Sequence, residues 1–242
     1  MVDDAIPRRK FLLGAGVAGT AAVAGLGRQD PVEAQVAPPP SAAAQATPGT
    51  GPEPLLVLTA TEAAFISAAA DTFIPADELS PSGSECGVTT FVDRQLASAW
   101  GGGDKVYRSG PFHQGKPEQG NQLPLTPREF FAAGIAAANE WSRATHGKEF
   151  DRLSAEDRAT ALKTMEAGKA QFVGVDAKAF FEALLAITME GFFSDPMYGG
   201  NRDSASWKMI GFPGLPATYA NVVDEYLNKR YVAPPQSIAD FS

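Results

Sequence analysis

The stretch Asp176–Phe193, DAKAFFEALLAITMEGFF, constrains the fold most. Wound at the helical period it is apolar on almost all sides, so it reads as a central helix that neighbours must cover. The rest of the chain supplies those neighbours. Thr59 with Glu62 makes a capping box ahead of a stripe of Phe65, Ala69 and Phe73, and Pro75 closes that helix. A second helix is expected from about Val88 to Trp100, stopped by Gly101-Gly102-Gly103. Thr126 caps a third, with Pro127 at its first position and Glu129 three residues after the cap. Its buried face is assigned to Phe131, Gly134, Ala138 and Trp141. Ser154 with Asp157 starts another that carries Ala159, Leu162 and Met165, and a last helix places Tyr219, Val222, Val223 and Tyr226 on one face. No alternating strand of convincing length intervenes. The expected fold is all-α, a single compact helical domain over residues 55–242 with long irregular loops. The Gly/Pro-rich loop before Thr126 is of a length that often contacts something.

The N-terminus poses a choice. In RRKFLLGAGVAG, residues 8–19, Gly14, Gly16 and Gly19 satisfy the G-x-G-x-x-G pattern of a dinucleotide site. Only Phe11, Leu12 and Leu13 precede Gly14 as a first strand, and the prolines at 38–40 remove the second. The same residues read as a twin-arginine export signal: Arg8 and Arg9 form the charged region, and Phe11 and Leu12 follow at the required spacing. No charge lies between Lys10 and Arg28, and Val32-Glu33-Ala34 fits a small-residue cleavage site. The uncharged span is shorter than the ~20 apolar residues of a membrane helix. Residues 1–34 are thus expected to be a signal peptide, either removed or retained as an anchor. Residues 35–54, QVAPPPSAAAQATPGTGPEP, read as a disordered Pro/Ala-rich tether.

Residues 1–34 hold four acidic and four basic residues, so the remainder keeps the formal net charge of −8. That balance disfavours phosphate backbones, and no nucleic-acid partner is expected. Cys86 is the sole cysteine, so no internal disulfide can form. Its polar, loop-like surroundings (PSGSECGVTT) favour exposure, which leaves an unreactive thiol or an intermolecular bridge as its readings.

No catalytic constellation emerges. His113 and His146 lie far apart, with none of the short ligand pairs that a zinc site uses. The chain lacks C-x-x-C-H, G-x-S-x-G and the phosphate-loop pattern. Glu140, Glu182 and Glu190 are the least bland carboxylates; the last two share a helix face and, if buried together, suit acid–base work. The rim of the core is the alternative.

One segment is dense in unusual residues: residues 188–214, TMEGFFSDPMYGGNRDSASWKMIGFPG. Gly199-Gly200-Asn201 demands a tight turn with positive φ angles. Aromatics and an arginine around rigid turns are the composition of an interaction hot spot. A self-packed loop capping the central helix explains the same residues, and both readings can hold at once.

This segment closely resembles the signature of the gluconate 2-dehydrogenase subunit 3 family. FIPAD at residues 73–77, the twin-arginine leader, the proline-rich tether and the C-terminal helix pattern resemble that family too. Pro7 departs from it, standing where Ser or Thr often precedes the arginines. The resemblance implies a non-catalytic small, or gamma, subunit of a membrane-associated flavin dehydrogenase acting on gluconate or related sugars. It implies no cofactor in this chain, FAD in a large catalytic subunit, and c-type haem in a possible third, multihaem cytochrome subunit. It places Phe192, Phe193, Asp195, Tyr198, Asn201, Arg202 and Trp207 at motif positions, which makes them the candidate partner interface.

On that reading the chain supplies the export signal for the flavoprotein. FAD enters while the large subunit folds, and the twin-arginine translocon passes folded cargo, so the partner travels docked. An interface of roughly 2,000 Å² or more is then expected, with the complex in the periplasm at the inner membrane. A stand-alone periplasmic enzyme and a small-molecule binding module are the alternatives.

Overall fold

A computed structural model describes residues 54–241 except 105, 107–108, 114, 117–123 and 217. The leader residues Arg8, Arg9, Phe11 and Leu12 lie outside the described residues, as do all but the last residue of the tether. Among the described residues six α-helices follow in order: α1 (Ala60–Phe73), α2 (Val88–Ala97), α3 (Pro127–His146), α4 (Ala155–Glu166), α5 (Ala177–Phe193) and the short α6 (Ala205–Ile210). Three-residue 3₁₀ turns stand at Phe150–Arg152, Pro196–Tyr198 and Arg202–Ser204, and a longer one at Ile238–Phe241. The described residues form no sheet; a single parallel bridge joins Gly214 to Gln236.

The helix starts follow from their caps. Thr59 and Thr126 each accept from the backbone N–H three residues on, and Glu62 and Glu129 reach back to the cap's own N–H, closing two capping boxes. Ser154 and Asp176 cap α4 and α5 through side-chain oxygens. The helix α2 stops at Ala97, three residues short of Trp100, with Ser98 in extended geometry.

The expected central helix is α5, which packs against each of the other five. Phe180 is fully buried and meets the rings of Phe65, Phe130, Phe131 and Phe172 at centroid distances of 6.0–6.3 Å. The ring of Phe180 fills the space that a Cβ at Gly134 would need, so α3 lies against α5 only because residue 134 has no side chain. Gly191 gives the Phe91 ring of α2 the same access at the other end of α5. Asn139 is buried on α3 and its Oδ1 accepts the Phe150 N–H at 3.1 Å, which brings Phe150 against Phe65. On α4 the buried residues are Ala161, Leu162 and Met165, with Ala159 half-buried.

The expected last helix does not form. Residues 220–228 make successive turns held by isolated bonds: Val222 N–H to the Tyr219 carbonyl, Tyr226 N–H to Val222 and Lys229 N–H to Tyr226. The apolar pattern is present, but Val223 and Leu227 lie in solvent and no core covers them. A helix this short is marginal without tertiary cover, and adjacent β-branched residues weaken it further. Asn228 then turns left-handed at φ 62°.

Candidate functional site

The segment at the end of α5 is built from the backbone outward. The helix stops at Phe193, and Ser194 turns extended while its Oγ donates to the Gly191 carbonyl at 3.0 Å. Asp195 caps the 3₁₀ turn Pro196–Tyr198 by accepting from Met197 N–H at 2.9 Å. Gly199 then reverses the chain at φ 94°. A Cβ on Gly200 would collide with the Gly191 carbonyl, and one on Gly87 with the Gly199 carbonyl. The turn thus sits in direct backbone contact with the end of α5 and the start of α2. Only glycines permit that approach.

Asn201 is the pivot. It is fully buried in left-handed geometry at φ 44°. Its Nδ2 donates to the Ser194 carbonyl at 2.9 Å, and its Oδ1 accepts from Ser206 N–H and Ser206 Oγ–H at 2.9 and 2.7 Å. Asp203 and Ser204 also adopt positive φ, so three of the four non-glycine residues with positive φ among those described fall within four positions. Such conformations persist where surrounding bonds over-determine them. Trp207 closes the loop from inside: its Nε1–H donates to the Phe193 carbonyl at 3.0 Å and its ring meets Phe212 edge-on at 5.1 Å.

Two further ties hold the loop to distant segments. The Arg202 N–H donates to the Cys86 carbonyl at 2.9 Å, and its Nη1 to the Glu85 carbonyl at 3.2 Å. The Asp195 carboxylate accepts from Ser237 Oγ–H at 2.6 Å and Ile238 N–H at 2.9 Å, which fastens the C-terminal segment.

Residues 60–214, spanning all six helices and this loop, match the family described as gluconate 2-dehydrogenase subunit 3. The chain belongs to that family. Comparison with curated proteins and with solved structures returned no match. As a family member, the chain is a subunit of an oxidoreductase complex by the family's own description.

The structure divides the seven motif residues into two groups. Phe192, Asn201 and Trp207 point inward and are buried, so they set the shape of the loop. Tyr198 and Arg202 are exposed, and Phe193 and Asp195 are half-buried. Sequence reasoning passed over Met197, Met209 and Ile210, which are exposed apolar residues of the same segment, as are Tyr198 and Phe212. Their signal was available: in α6 the sequence SWKMI buries Ser206 and Trp207 and leaves the following three outside.

Cys86 requires a correction. Its polar neighbours pointed to exposure, but the side chain is 1% exposed, with Sγ directed at the Pro81 carbonyl. Residues 199–202 pack on the neighbouring backbone, Gly199 against Gly87 and the Arg202 N–H on the Cys86 carbonyl, and no local pattern announces that contact. Burial pushes the thiol above its ordinary value of 9.0; Glu85 adds to the push and Arg202 opposes it. A buried thiol held protonated is a poor nucleophile and is not presented for an intermolecular bridge.

The carboxylates single out no buried pair. Glu140, Glu182 and Glu190 are all exposed, and Glu182 makes a long surface ion pair with Lys178 at 3.9 Å. His113 is exposed and His146 stacks edge-on against Trp141. Among the described residues no group of three or more His, Cys, Asp or Glu side chains could hold a metal ion. A shallow groove of about 280 Å³ lies in the C-terminal segment, lined by Tyr219, Val222, Tyr226, Leu227 and Tyr231. It falls beyond the family-matched residues.

Proposed function

We propose that this chain is the non-catalytic small (gamma) subunit of an FAD-dependent dehydrogenase acting on gluconate or a related sugar, and that it escorts the flavoprotein subunit. It docks on that subunit through the outer face of the 195–212 loop and supplies its twin-arginine export signal from residues 8–12. FAD belongs to the partner; the only G-x-G-x-x-G in this chain, residues 14–19, lies in the leader. A multihaem cytochrome c is the third member that would carry electrons onward, and the assembly works in the periplasm at the inner membrane.

The observation that carries the docking reading is a rigid scaffold with an apolar outside. Asn201, Trp207 and the close-packed glycines hold the loop, while Met197, Tyr198, Arg202, Met209, Ile210 and Phe212 are exposed along it. Preformed aromatic and methionine surfaces cost little ordering entropy on binding, which suits an interface that persists through transport.

The test is co-expression with the large subunit of the same complex. Replacing Tyr198 and Phe212 together by Ser is expected to leave this chain folded, reduce recovery of the complex at least tenfold, and lower exported flavin activity in proportion. Changing Arg8 and Arg9 to Lys is expected to leave the complex intact but retained inside the cell. Unchanged capture by the double variant would remove the docking surface, and unchanged export by the leader variant would remove the escort role.

A further inference from the structure

The body of this protein holds its own N-terminal segment through one buried carboxylate. Asp93 sits in the middle of α2 and is 2% exposed. It faces the backbone of residues 56–58. The Leu56 N–H donates to its Oδ2 at 2.6 Å, and the Val57 and Leu58 N–H groups donate to its Oδ1 at 3.0 and 2.8 Å. Three consecutive amides converging on one anion form a concave backbone site of the kind that suits negative charge. Hydrogen bonds to an ionised acceptor are stronger than neutral ones, and a carboxylate this deep requires such partners.

The side chains of the segment do little to hold it. Leu55 and Leu56 are both exposed, Val57 is half-buried against the edge of the core, and Leu58 is buried in it before Thr59 begins the cap of α1. Side-chain burial therefore stops at Val57, and the backbone bonds to Asp93 are what the segment gains from docking at 56. The attachment is also non-local, since 35 to 37 residues separate donors from acceptor. It exists only once α2 is folded and packed beside α1.

We propose that Asp93 is a clasp that fastens the strap of residues 56–58 to the helical body, and that it opens and closes as a unit distinct from global unfolding. Residues 56–58 lead directly into Thr59, so the clasp stands immediately ahead of the cap of α1. Because the clasp needs α2 in place, residues 56–58 are fastened in the folded chain and loose in the unfolded one. That this is where an export leader would be secured to its cargo rests on the escort reading above; the clasp itself does not.

Amide hydrogen exchange on the full chain tests it. In the wild type the Leu56, Val57 and Leu58 amides are expected to be protected although two of the three flank an exposed surface. Asp93→Ala removes the acceptor, and Leu56→Pro removes one donor at a position whose side chain is already in solvent. Each is expected to speed exchange at the remaining strap amides by about tenfold or more, the effect of losing a buried hydrogen-bond partner. Asp93→Asn, which keeps a carbonyl but loses the charge, should fall between wild type and Asp93→Ala. Because Asp93→Ala also empties a buried position, Leu56→Pro is the deciding variant, and in it the α5 amides should keep wild-type protection. Strap amides unprotected in the wild type, or unchanged in Leu56→Pro, would overturn the clasp. So would α5 protection falling in step with the strap in that variant, because the strap would then be part of the global fold. Export of the complex plays no part in these readouts, so a failed escort role and a failed clasp are told apart.

Discussion

Two edge-on aromatic pairs in this molecule share nearly the same geometry and differ in everything around them. Trp207 meets Phe212 at 5.1 Å and 80°, and Tyr226 meets Tyr231 at 4.9 Å and 86°. The first pair belongs to the loop that the family match includes, the second to the C-terminal segment beyond it. Trp207 is buried and donates its ring N–H to a helix-end carbonyl. Tyr226 stands half-buried among turns whose apolar neighbours Val223 and Leu227 are in solvent. The comparison teaches that ring contacts do not make a region rigid. Both regions lack long helices, and the firm one is that in which the buried polar side chains of Asn201, Ser206 and Trp207 have found partners.

The contrast breaks hardest at Trp207. Trp207→Ala empties a buried site and frees the Phe193 carbonyl, and should destabilise the fold by about 3–5 kcal/mol. Thermal unfolding should show it as a fall in Tm of roughly 10 °C for a domain of this size. A fall of only a degree or two would mean that the loop does not support the end of α5. Asn201→Ala comes next. It leaves the Ser194 carbonyl and the Ser206 N–H without their buried partner, a cost of about 2–4 kcal/mol from two groups. Asn201→Asp is a finer probe, because it keeps the acceptor for Ser206 but turns an oxygen toward the Ser194 carbonyl. It should be nearly as damaging at neutral pH, and denaturant midpoints of the two variants decide the order.

Cys86 sharpens the same contrast through pH. Burial raises the pKa of this thiol, with Glu85 adding to the rise and Arg202 opposing it, so the folded state holds the proton more tightly than the unfolded chain. Stability from this group is therefore complete below the ordinary thiol value of 9.0 and declines as pH rises above it. Alkylation of the native protein at pH 8 should be far slower than that of the denatured chain. Asn201→Ala, by loosening the contact of residues 199–202 with the Cys86 backbone, should speed it. Equal rates in native and denatured protein would place Cys86 at the surface.

What the sequence made legible was local. The capping oxygens of Thr59, Thr126 and Ser154 each act within three residues of themselves, and each of those helices starts where they stand. The all-round apolar run at 176–193 announced its central place for the same reason. The tight turn at Gly199-Gly200-Asn201 was legible as a turn, but which of its residues face inward was not. That is decided by contacts with Gly87, Gly191 and Ser206 in three dimensions. Cys86 and Asp93 were misread or passed over because their partners lie more than 30 and, for Arg202, more than 100 residues away. Tyr219–Tyr226 shows the converse error: a correct helical pattern with no surface to lie on stays a series of turns.

The smallest expected effect falls on the second aromatic pair, and it carries the comparison's own control. An edge-on pair contributes about 0.5–1.5 kcal/mol beyond area burial, and Tyr226 is only half-buried, so little area adds to it. Tyr226→Ala should therefore cost about 1 kcal/mol or less, a shift in Tm of a few degrees at most. If ring geometry were what mattered, Tyr226→Ala and Trp207→Ala would destabilise alike, since the two pairs differ by 0.2 Å and 6°. If the partnered polar groups matter, the Trp207 loss is several times larger, and Trp207→Phe, which keeps an edge contact but has no N–H to give, lies between them. A ratio near one between the alanine variants would mean that the C-terminal turns are held as firmly as the family-matched loop, and that the two regions do not differ in rigidity.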